Sequence, residues 1–155
     1  MVETLGRTPE SLRRLASGLS DVELRWKPSD EEFSVLEHVC HLSDIEREGY
    51  AVRVARLLEE NEPFLPDLDG SRLADERAYN RQLPEEPLET FTRARVETVA
   101  RLKNLSAGEL SRGGTLEGVG ALTLEDLLGR MSEHDTEHLR ALEDLRRRLF
   151  ELFDE

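Results

Sequence analysis

Cysteine occurs once in this chain, at Cys40. A lone thiol closes no intramolecular disulfide and builds no cysteine-rich zinc ribbon, so a reducing, cytoplasmic setting is expected. Aromatic residues make up only 5% of the sequence, and no basic groove accompanies Trp26, Phe33, Phe64 or Phe91, which argues against a base-stacking platform. Positive charge is scarce too. With 21 Lys and Arg against 34 Asp and Glu, the net charge of -13 repels nucleic-acid phosphates and anionic membrane surfaces. No run approaches the roughly 18 uninterrupted apolar residues of a membrane span, and the opening MVETLGRTPESLRRL lacks the apolar stretch of a signal peptide. Gly113, Gly114, Gly118 and Gly120 form no phosphate loop, because no strand leads into them and no Gly-Lys-Ser/Thr closes them. These absences exclude nucleic acid and membrane as partners and leave a small-molecule substrate.

What remains reads as helix, and residues 1–155 are the size of one domain. Thr8 before Pro9 resembles an N-cap followed by a first-turn proline, with Leu12, Leu15, Ala16 and Leu19 at helical spacing, so a first helix is expected at about 9–19. A short turn through Trp26 and Pro28 follows. Ser34 and Glu37 offer a capping box for a second helix reaching Leu58. Residues 61–70 hold two prolines and a glycine and read as a surface loop at the lip of a pocket. A short helix fits 71–82, and Leu88, Phe91, Val96, Val99 and Leu102 mark a third long helix. SRGGTLEGVGAL is a connector with room for two short strands, and Thr123 with Asp126 caps a last helix to about Phe153. The expected architecture is all-α, a four-helix bundle with a short additional helix and long connecting loops.

Only four histidines occur, in two tight pairs: His38 and His41 on the second helix, His134 and His138 on the last. A spacing of four turns only about 40° on an α-helix, so His134 and His138 share a face. That face also carries Leu127, Met131, Leu145 and Leu149, which makes it the inward one. Two imidazoles on a core face, with further histidines distant in sequence, are what a bundle-core metal site requires. His38 lies about 60° from His41, so geometry alone leaves both open as ligands. HDTEH departs from the zinc-peptidase motif H-E-x-x-H where it matters, since Asp135 replaces the Glu that serves as general base and Glu137 is out of position. Cys40 sits about 100° around the helix from His41 and reads as a small core residue.

FSVLEHVCHLSDIEREG resembles the second-helix signature of the DinB/YfiT-like metalloprotein superfamily: an aromatic residue, Ser, two residues, Glu, three residues, His-Leu. The matching residues are Phe33, Ser34, Glu37, His41 and Leu42, and they assign the ligand to His41 rather than His38. GALTLEDLLGRMSEHDTEHLRAL is similar to the family's last helix, in which H-x-x-x-H-Leu supplies two ligands, here His134 and His138. The likeness spans nearly the whole chain. Phe33 stands where the family usually has Trp, and Arg140, Ala141 and Leu142 follow Leu139 where a Gln is usual.

Three neutral imidazoles suit one divalent metal ion, with zinc or nickel first in line, and leave open coordination positions. The resemblance implies a transferase dependent on a low-molecular-weight thiol of the bacillithiol, mycothiol or glutathione type, and a homodimer. A metal-dependent hydrolase of amides or esters is the alternative, with Glu37 or Asp135 assisting as catalytic carboxylates or orienting the imidazoles. A non-catalytic metal-binding stress-response protein is a third reading, distinguished by a closed metal site.

Overall fold

The computed structural model describes residues 1–153. The first helix, α1, spans Val2–Ala16 and buries Leu5, Thr8, Pro9, Leu12 and Leu15. It therefore starts well before the expected Thr8 cap. Leu5 continues the apolar spacing toward the N-terminus and is fully buried, so core packing extends the helix through the proline. Pro9 has no N–H for the carbonyl of Leu5, and Arg95 Nη1 donates to that oxygen instead, at 3.0 Å. Where a turn was expected, a short helix α2 forms over Asp21–Arg25 on a capping box of Ser20 and Glu23.

The second rod begins at Ser34 as its capping box predicts, with Ser34 Oγ accepting from Glu37 N and Glu37 Oε1 accepting from Ser34 N. It runs as α3 (Val35–Ile45), a π-helical segment (Glu46–Tyr50) and α4 (Ala51–Glu59). A π turn holds one residue more than an α turn, which rotates the chain beyond it by about 100° relative to an unbroken helix. Within that segment Glu46, Gly49 and Tyr50 are buried. Gly70–Glu76 forms α5, followed by a 3-10 turn at Tyr79–Arg81. The third rod, α6, spans Glu85–Leu102, and a short α7 covers Ala107–Leu110.

Three short strands cover one end. β1 (Phe64–Leu65) pairs in parallel with β2 (Gly113–Leu116), which pairs antiparallel with β3 (Gly120–Thr123) in the register Thr115 to Ala121. The connector supplies its two strands, while the loop at 61–70 adds a third. Gly114 permits the close approach: a Cβ there would stand 2.6 Å from the carbonyl oxygen of Pro63. Thr123 and Asp126 cap the last helix, α8 (Leu124–Phe153), by exchanging backbone and side-chain hydrogen bonds.

The inward face of α6 differs from its apolar spacing. Val96 is 61% exposed, whereas Arg95 is 1% exposed and lies with Phe91, Thr98, Val99 and Leu102 on the packed face. The apolar interior forms two large clusters and a small one of Leu36, Cys40, Ala74 and Tyr79. Of the large ones, one gathers Leu5, Val54, Leu57, Val99, Leu127 and Met131 toward the strands, and the other gathers Leu12, Val35, Leu42, Phe91, Leu142 and Leu149. On α1, α6 and α8 the buried Thr8, Arg95 and Asp135 fall between residues of the two clusters. Phe91→Ala should therefore cost about 3–5 kcal/mol of unfolding free energy in urea, and Val96→Ser should stay within about 0.5 kcal/mol. Equal costs at the two positions would contradict this orientation of α6.

Candidate metal centre

α3 presents His41 and α8 presents His134 and His138, and one ring nitrogen of each lies within 4.8 Å of the others. His41 Nε2 faces His134 Nε2 at 3.1 Å. Two nitrogens held on one ion at about 2.1 Å stand about 3.0 Å apart at a right angle and about 3.4 Å apart at the tetrahedral angle. The observed separation falls between those limits, so this pair fits two ligands of a single ion. His41 is 9% exposed, while His134 and His138 are each partly exposed, which leaves one side of the cluster facing outward.

His38 stands apart from the converging set. Its Nδ1 lies 2.8 Å from His138 Nδ1, so one ring donates and the other accepts, and the pair holds complementary tautomers. It also lines a cleft of about 340 Å³ with Phe33, Ser71, Ala141, Asp144 and Arg148. Phe33 packs against both His38 and His41, at ring separations of 5.4 and 5.6 Å, and Tyr50 from the π segment packs 5.6 Å from His134. Burial pushes the Tyr50 hydroxyl up to about 12 and keeps it neutral.

The imidazoles are themselves held neutral. Burial, followed by repulsion from neighbouring imidazoles, lowers His38, His41 and His134 to about 3, and burial lowers His138 as well. Neutral imidazole is the form that binds metal, so proton competition moves well below the value near 6.5 of a free side chain.

The two carboxylates named from the sequence are engaged elsewhere. Glu37 accepts from Ser34 N at 3.0 Å and pairs with Lys27 Nζ at 3.2 Å. Asp135 accepts from Arg95 at 2.6 and 3.0 Å and from Thr8 Oγ1 at 2.7 Å. Neither hydrogen-bonds an imidazole among the described residues. Cys40 is buried against the Tyr79 carbonyl, and burial raises its thiol to about 12, which makes it a core residue rather than a nucleophile.

Nothing in the sequence assigns Gly70 a role beyond closing a loop. A Cβ there would stand 2.6 Å from His41 Cε1 and 2.9 Å from Nδ1, so the first residue of α5 seats the ring by having no side chain. Tyr50 has no assignable role in the sequence alone, and Arg95 is not among its candidate site residues. Arg95 had a signal, a charge on the inward stripe of α6, whereas Gly70 had none without the fold.

A helical bundle that gathers three imidazoles between two of its rods is the class this geometry defines. The chain belongs to the DinB superfamily, whose family model matches residues 4–153. Among solved structures it is similar to YfiT from Bacillus subtilis, described as a probable metal-dependent hydrolase with an unusual four-helix bundle topology. The TM-score is 0.88 at 22% sequence identity, covering 96% of this chain and 85% of that one. Curated proteins show no match. No helix among the described residues is long and apolar enough to cross a membrane.

Between about pH 6.5 and 3 the unfolded chain binds protons that the folded histidines refuse, so stability is full above 6.5 and is lost as pH falls toward 3. The melting temperature of the metal-free protein should drop from pH 7 to pH 5, above the range where carboxylates titrate. A flat profile there would contradict buried neutral imidazoles. Gly70→Ala should displace His41 and reduce bound metal by elemental analysis while helical circular dichroism persists; unchanged metal content would show that the seat is not needed.

Proposed function

We propose that this protein is an enzyme holding one divalent ion, zinc or nickel, on His41, His134 and His138, and joining a low-molecular-weight thiol to a small electrophilic substrate. The observation that carries this reading is a convergent imidazole cluster with an outward side, next to which the one cysteine, Cys40, is buried as a neutral thiol. A divalent ion there supplies Lewis acidity, which brings the pKa of a thiol or water nucleophile toward neutral. The chain's own residues fix and enclose the site. His38 holds the His138 ring through its Nδ1, Gly70 seats His41, and Phe33 and Tyr50 cover its flanks. Glu37 and Asp135 serve in this reading as a helix cap and a buried anchor, not as bases.

Hydrolysis of a simple ester or amide is the second reading. It is favoured by the likeness to YfiT and needs no thiol, only water at the same outward side. A purely structural ion is less consistent with three converging protein ligands, because structural sites are filled by four.

Cobalt-substituted protein should develop a thiolate charge-transfer band on adding bacillithiol, mycothiol or glutathione, and should turn over a chlorinated or epoxide electrophile. Both signals should vanish in His41→Ala. No band with any of the thiols, together with metal-dependent ester or amide cleavage, would replace the transferase by the hydrolase.

A further inference from the structure

Arg95 is among the largest fully buried side chains of the described residues, and its hydrogen bonds go to groups other than the histidines. Its guanidinium donates through Nη1 to Asp135 Oδ2 at 2.6 Å and to the Leu5 carbonyl at 3.0 Å. Through Nη2 it donates to Asp135 Oδ1 at 3.0 Å and to Glu46 Oε1 at 2.9 Å. Thr8 Oγ1 adds a third bond to Asp135, and the guanidinium carbon lies 5.0 Å from the Phe91 ring centroid. One side chain on α6 thus joins α1, the π segment and α8.

Two of these anchors adjoin ligands in the chain. Asp135 follows His134 directly, and Glu46 lies five residues beyond His41 on the same rod. We propose that Arg95 is a positioning residue for the metal centre, fixing the depth and rotation of the α8 ligands relative to His41 through its two carboxylates. This rests on the three-histidine reading above.

Energetics favour a geometric role over a stabilising one. Buried ion pairs are often no more stable than apolar residues of the same shape, because desolvation offsets the attraction. A bidentate guanidinium–carboxylate pair nevertheless has a direction and a length, so it resists sliding and rolling in a way apolar packing does not. The π turn begins at Glu46 itself. From this one short segment Glu46 accepts from Arg95 and Tyr50 packs 5.6 Å from His134.

The test compares Arg95→Lys, Asp135→Asn and Glu46→Gln with Leu149→Ala, a control in the apolar cluster on α8 away from this network. Three quantities are measured on each: Co(II) affinity by chelator competition, the Co(II) d–d absorption spectrum, and urea unfolding of the metal-free protein. Arg95→Lys and Asp135→Asn should weaken Co(II) binding by at least about 10-fold, the low end for groups that orient ligands, and should change the d–d spectrum. Glu46→Gln, which keeps shape and an acceptor, should show the same change to a smaller degree and remains informative if Arg95→Lys fails to fold. Leu149→Ala should lose stability yet keep wild-type affinity and spectrum. Wild-type affinity and spectrum in the folded network variants, or an equal loss in Leu149→Ala, would overturn the proposal. Failure of the wild-type protein itself to bind Co(II) would instead sink the three-histidine reading beneath it.

Discussion

A single buried guanidinium is the constraint on which the rest of this structure depends. Burial of Arg95 is offset by acceptors for its Nη1 and Nη2 donors, a carbonyl on α1, a carboxylate on the π segment and a carboxylate on α8, while its Nε stays without a partner. Each acceptor explains a local irregularity. The Leu5 carbonyl is available because Pro9 has no N–H to offer it, and Glu46 stands where the second rod changes from α to π. Asp135, beside His134, is an anchor because Arg95 and Thr8 occupy both its oxygens.

The polar layer lies between the two large apolar clusters, and the histidines of α8 share its level, between Met131 and Leu142. Imidazoles there lose most of their hydration, which favours the neutral ring. The consequence is a set of donors ready for a cation without first losing protons. Packing from Phe33, Tyr50 and Gly70 limits how those rings can turn. The proposed chemistry asks little more of the chain: hold an ion and leave one side outward.

Much of this was legible in the sequence because its signals are local. Capping boxes at Ser34/Glu37 and Thr123/Asp126 mark helix starts correctly, since both partners lie within one turn. The four-residue spacing of His134 and His138 places them together for the same reason. Signals that depend on distant partners misled or were silent. Thr8 and Pro9 imitate a helix start, and only the buried Asp135 and Arg95 reveal why they sit inside a helix instead. Val96 fits an apolar stripe as well as Val99 does, but the stripe is set by what α6 packs against, and it runs through Arg95. The parallel pairing of Phe64–Leu65 with β2 joins segments about fifty residues apart and leaves no trace in either one.

The account centres on three imidazoles sharing one ion. X-ray absorption at the zinc edge, on zinc-loaded protein with no thiol added, tests that most directly. It should show three imidazole nitrogens at about 2.0–2.1 Å and any remaining ligand as a light oxygen atom. Sulfur bound to the ion, or fewer than three imidazoles, would contradict it.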